Sequence, residues 1–148
     1  MMQAREMTEI GNYTEPRVKV EGFLEILHRR LCAPGFDASA NIDILYYDKG
    51  KSPDDPHTTK NTMLALDFEV RDVAYELEQL SVDEYMMNVI DDKPGQTRPF
   101  YVFCRSVANR LIYIKLKLRE KDGPNSIFVV SFHFDDFEGE TKRYPYRE

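Results

Sequence analysis

Tyrosine, histidine and several cations recur at alternate positions between Arg98 and Asp135, where their spacing can support phosphate chemistry. In LIYIKLKLR the strand period of two puts Tyr113, Lys115, Lys117 and Arg119 on one side and Ile112, Ile114, Leu116 and Leu118 on the other. In PFYVFCR the same period groups Tyr101, Phe103 and Arg105 against Phe100, Val102 and Cys104. In IFVVSFHFDD it groups Ile127, Val129, Ser131, His133 and Asp135 against Phe128, Val130, Phe132 and Phe134. Pairing about the turn at Asp122–Asn125 brings His133 opposite Tyr113 or Lys115, and pairing about SVANR brings Arg105 or Phe103 beside Tyr113. The expected surface therefore carries Arg105, Tyr113, Lys115, Ser131 and His133, with Tyr101 and Phe103 as stacking platforms.

Such a set suits cleavage of RNA by its own 2′-hydroxyl. That reaction needs a base, an acid for the leaving 5′-oxygen and cations for the phosphate as charge builds. Histidine ordinarily titrates near neutrality, so His133 can serve as base or acid, Tyr113 or Lys115 can support proton transfer, and Arg105 can grip phosphate in two-pronged fashion. Lys117 and Arg119 extend the basic stripe, and aromatic rings accept unstacked bases. The same stripe is also what the wet side of a sheet looks like.

The elements that must hold these strands are legible around them. Pro16 opens an amphipathic helix in which Val20, Phe23, Leu24, Leu27 and Leu31 share a face, ended by Pro34 and Gly35. Asn41–Tyr47 reads as a strand and DKGKSPDDPH as a polar loop, with Pro53 and Pro56 against a metal role for Asp54, Asp55 and His57. Thr58 or Thr59 caps a short helix to Leu66. Asp67 is expected to cap a second helix whose Val70, Val73, Ala74 and Leu77 face the sheet. Ser81 and Glu84 have capping-box spacing, predicting one more turn around Tyr85, and Asp91–Thr97 reads as a loop. A helix, a strand, helices and then three strands predict an α+β domain with helices on one side of a small antiparallel sheet. Its expected span is 16–137, after an arm at 1–15 and before a tail at 138–148.

Composition sets the remaining bounds. The 148 residues, 42% hydrophobic and 31% charged, suit one globular domain able to bury its own core. No apolar run is long enough to span a membrane, and the opening lacks a secretory apolar segment, which predicts a cytoplasmic home. Cys32 and Cys104 read as small hydrophobes, and His28 as a solvated or capping side chain. The net charge is −6, yet seven basic residues stand against Glu120 alone between Arg98 and Lys121. A basic strand pair thus sits in an acidic protein, and local charge decides what a groove attracts.

Four strings, LSVDEY, PFYVFCRSV, LIYIKLKL and VVSFHFDDFE, resemble the RelE-like ribonuclease toxins of type II toxin–antitoxin systems, in the branch of the motility quorum-sensing regulator (MqsR) toxins. The resemblance covers about Thr58 to Phe137. It implies a RelE-like fold and an endoribonuclease, or mRNA interferase, that cuts mRNA without metal or cofactor and is neutralised by an antitoxin protein. It sets Tyr113 at the catalytic tyrosine and His133 at the basic residue after VSF. A family lysine falls at Met87 and a family glutamine at Phe100, and Arg105 matches a family arginine only with a slip of one position. The alternative expectation is a non-catalytic RNA- or protein-binding module of the same fold; a plain assembly subunit is a third.

Overall fold

The computed structural model describes residues 11–91, 93, 95, 98–120, 123–135 and 142–148. Helix α1, Arg17–Leu31, forms where the apolar spacing predicts it, burying Val20, Phe23, Leu24, Leu27 and Leu31. Burying a side chain such as Leu27 contributes about 1.5–3 kcal/mol. Its last turn carries His28, Arg29 and Arg30, which complement the negative end of the helix dipole. Arg30 Nη1 donates to the carbonyls of Arg119 and Ser126 at 2.7 Å each, and Nη2 reaches Glu120. The helix end thereby clamps the mouth of the last hairpin.

Among the described residues the sheet has six strands: β1 (Asn12–Tyr13), β2 (Ile42–Ile44), β3 (Tyr85–Val89), β4 (Phe100–Val107), β5 (Arg110–Leu118) and β6 (Ile127–Phe134). Their order is β1-β3-β4-β5-β6-β2. The class is α+β, as expected, but the sheet is mixed: β2 runs parallel to β6, while the other neighbours are antiparallel. Chain order alone hides this pairing, because Ile42 meets Ile127 from the far end of the chain and only tertiary closure joins them.

On one face Phe103, Ile112, Ile114, Leu116 and Phe132 are fully buried with Val20 and Leu27 of α1 and Val73 and Leu77 of α4 (Val70–Glu78). Helix α2 is a single turn, Ala38–Asn41, capped by the Asp37 side chain on Ser39 N. Helix α3, Thr59–Leu66, starts on a Thr58 side-chain cap as predicted. Asp67 does not cap α4. It ends α3 in the left-handed region at φ 58°, and Glu69 with Asp72 forms the α4 capping box instead. Ser81 and Glu84 do form a capping box, but the turn is a single 3-10 turn at Val82–Glu84, and Tyr85 begins a strand rather than a helix. A bulge between Tyr85 and Met87 breaks the alternation that would have marked that strand in YMMNV.

Beyond Ile44 the chain leaves β2 after one more bond, Leu45 N to Val129 O, so the predicted strand to Tyr47 stops early. α3 then takes over the edge of β6. Thr59 Oγ1 accepts from Phe132 N and Thr62 Oγ1 from Phe134 N, both at 3.0 Å, so two side chains substitute for a missing strand. Thr62→Val keeps the shape and leaves a buried N–H unpaired; we expect a loss of about 1–3 kcal/mol in chemical denaturation.

The first and last described residues join the same body. Of the expected N-terminal arm, residues 1–10 lie outside the described residues, whereas Asn12 and Tyr13 pair with Val89 and Asn88 as an edge strand. Glu15 N donates to Tyr85 Oη at 3.0 Å, and Tyr85 Oη donates to Asn88. Of the expected tail, residues 138–141 lie outside the described residues; Tyr146 stacks on Tyr85 with centroids 5.9 Å apart and donates to Glu15 O. Asp122 and parts of the Asp91–Thr97 loop also lie outside the described residues. Among the described residues no helix is long and apolar enough to cross a membrane.

Candidate functional site

The β4–β5 hairpin closes through two residues, Ala108 and Asn109, both at positive φ (52° and 67°), the pattern of a type I′ turn. Val107 then faces Arg110, and the register that follows pairs Cys104 with Tyr113 and Val102 with Lys115. The expected neighbours of Tyr113 are therefore corrected: Arg105 and Phe103 pair with Ile112 and Ile114, and Tyr101 with Leu116, so all three lie on the helix face. Tyr101 stacks on Phe23 with centroids 3.8 Å apart, and Phe103 is fully buried. Burial, with the Glu15 carboxylate beside it, pushes the Tyr101 phenol up to about 12. Arg105 Nε donates to Glu76 at 2.8 Å and Nη1 to Glu84 at 2.9 Å, pinning β4 to α4 and the 3-10 turn. Burial pushes the Glu84 carboxyl up, against the pull of Arg105. Arg105→Ala leaves both carboxylates behind. We expect a loss of about 2–3 kcal/mol in stability, with RNA affinity unchanged in a binding titration.

The β5–β6 register sets Tyr113 opposite His133 and Lys115 opposite Ser131. The rings of Tyr113 and His133 stack with centroids 5.3 Å apart at 15°. The register then shifts, with Leu116 paired to Val129, so Val130 is the extra residue of a bulge. Hence Ser131 and His133 occupy the expected face, whereas Ile127 and Val129 turn to the helices and Phe128 turns to the open face. Phe128 lies there near Phe100 and under the Arg119 guanidinium, 3.8 Å away.

Of the four expected RNA-binding residues, Phe103 is thus in the core, Tyr101 is half-buried against it on the helix face, and the other two hold structure. Lys117 is buried and paired with Asp91 at 2.6 Å, and Arg119 reaches Asp43 at 3.2 Å. What the fold does gather is a cleft of about 290 Å³ lined by Tyr113, Lys115, Ser131, His133, Asp135, Asp48 and Lys51. Asp48 and Lys51 come from the loop after β2 and carried no signal in the sequence, since only the parallel β2–β6 pairing brings that loop beside His133. Asp48 Oδ1 accepts from Gly50 N, and Lys51 Nζ donates to His57 O at 2.9 Å, so the loop is tied to itself.

His133 is 7% exposed and its Nδ1 lies 2.8 Å from the Phe134 carbonyl. A carbonyl only accepts, so in the neutral ring the proton sits on Nδ1 and Nε2 is the basic atom. Asp135 is ion-paired with Lys142 of the C-terminal segment, which offsets the negative charge that Asp135 brings to the cleft. Cys104 lies across from Tyr113 but is 1% exposed, and burial with Asp135 nearby pushes its thiol up to about 12, so it is no nucleophile at neutral pH. The arrangement offers a base, a phenolic donor and two ammonium groups around one small polar cleft. Scanned against protein-family models, the curated proteins and the solved structures, the chain matches none.

Proposed function

We propose that this protein is a cytoplasmic endoribonuclease toxin of a type II toxin–antitoxin pair, of the RelE-like MqsR kind, cutting mRNA without a metal and held inactive by a partner antitoxin. The observation that carries the reading is the stacked Tyr113–His133 pair in a cleft with Lys115 and Lys51. In this reading His133 Nε2 takes the proton of the 2′-hydroxyl, whose oxygen attacks the adjacent phosphorus. The P–O5′ bond breaks as the Tyr113 hydroxyl protonates the departing oxygen, leaving a 2′,3′-cyclic phosphate and a 5′-hydroxyl. Lys115 and Lys51 meet the charge on the non-bridging oxygens. Met87, the position at which the resemblance sets a toxin lysine, shares a row with Val102 and Lys115, and in this reading Lys51 supplies the second cation from the loop.

The test is incubation of the purified protein with end-labelled RNA in EDTA. Discrete fragments are expected; intact RNA, with the oligonucleotide still bound, would assign the cleft to binding alone. Growth arrest on expression, relieved by the product of an adjacent gene, would test the toxin–antitoxin part.

A further inference from the structure

The loop that delivers Asp48 and Lys51 to the cleft begins with Tyr46 and Tyr47, 38% and 54% exposed. These two rings, with Lys60, Met63, Phe68 and Glu69, whose carboxylate is paired with Arg71, are among the residues lining a second cavity of about 400 Å³, within the usual range for ligand sites. Leu64 on its rim is 66% exposed, so the apolar surface is open. The Lys60 ammonium stands 5.5 Å over the Tyr47 ring. Lys60 N also donates to Tyr46 O, which fixes the loop to α3.

This cavity is close to the cleft by construction. Thr59 and Thr62, which bind the backbone N–H groups on either side of His133, belong to the same two turns of α3 as Lys60 and Met63. Helix α3 thus lines this cavity and holds the strand that carries His133, and consecutive loop residues, Tyr47 and Asp48, line the cavity and the cleft. We infer that the Tyr46–Tyr47 cavity is a second subsite for single-stranded RNA, in which a base flanking the cleaved linkage stacks on Tyr47 while Lys60 meets the neighbouring phosphate. An exposed aromatic ring with a cation beside it is what sequence-tolerant single-strand binders use, because every base has a flat face. The inference takes the class of its ligand from the ribonuclease reading.

The probe is a fluorescent 2′-O-methyl hexanucleotide, which lacks the attacking hydroxyl and so reports binding alone, titrated by anisotropy at low salt. Tyr47→Ala is expected to weaken binding about 10-fold, and Tyr47→Phe, which keeps the ring, to bind like the wild type. Unchanged binding by Tyr47→Ala, or binding by Tyr47→Phe as weak as that of the alanine variant, would overturn the subsite. The two readings separate cleanly. RNA that is never cut, with binding that still depends on the Tyr47 ring, removes the ribonuclease and keeps the subsite. RNA that is cut and bound equally by Tyr47→Ala keeps the ribonuclease and leaves the cavity to a protein partner.

Discussion

Tyr113→Phe is expected to lower kcat for RNA cleavage about 10²–10⁴-fold with little change in KM. The substitution removes only the phenolic oxygen and keeps the ring stacked on His133 at 5.3 Å, so the cleft keeps its shape. His133→Ala should lose a similar factor, because among the described residues no other side chain lining the cleft has an ordinary pKa near neutrality. His133 is buried, and its removal also opens a cavity, so a thermal melt accompanies the assay. His133→Gln fills most of that space and should melt closer to the wild type while remaining inactive. RNA cut at full rate by Tyr113→Phe and by a folded His133 variant would dismiss the assignment of both residues.

The second large effect concerns stability. Asp91→Asn removes the carboxylate charge beside the Lys117 ammonium, which is 4% exposed and 2.6 Å from Asp91 in the intact protein. Removing one partner of a buried pair costs about 3–5 kcal/mol, whereas replacing both by apolar groups is close to neutral. Lys117→Met combined with Asp91→Leu should therefore recover most of the loss in urea denaturation. Burial pushes the Asp91 carboxyl up, but the hydrogen bond from Lys117 and the N–H of Lys93 outweigh it and hold the group below the usual carboxylate range. A depressed folded pKa stabilises the protein above the unfolded value of ~3.9 and gives that stability up as pH falls through the folded value. The wild type should thus lose stability below about pH 4 by a component that Asp91→Asn lacks. Lys117 does not reach the cleft, so neither variant should change the dependence of RNA binding on salt; a reduced salt slope would restore Lys117 to the RNA surface.

The strands of the site were legible from alternation, and so was the face that His133 shares with Tyr113 and Lys115, but alternation left open which of the two it meets, and the register settles on Tyr113. The face of β4 was not. It turns on whether the loop at Ala108 holds two residues or three, and a non-glycine residue at positive φ gives no advance notice of a type I′ turn. Val130 illustrates the same limit: one extra residue moves Ile127 and Val129 into the core and Phe128 out of it, although VV reads like any strand interior. Lys117 and Arg119 alternate correctly with Tyr113, yet alternation says nothing about a carboxylate arriving from Asp91 or Asp43. Asp48 and Lys51 required the parallel contact between β2 and β6, a long-range pairing that no local pattern encodes.

The chemistry at the fragment ends tests the central claim most directly. Cleavage by the 2′-hydroxyl, with His133 and Tyr113 passing protons, predicts 2′,3′-cyclic phosphate and 5′-hydroxyl ends in EDTA, and no cleavage next to a 2′-O-methyl group. Fragments carrying a 5′-phosphate, or cleavage that proceeds past the 2′-O-methyl substitution, would contradict it.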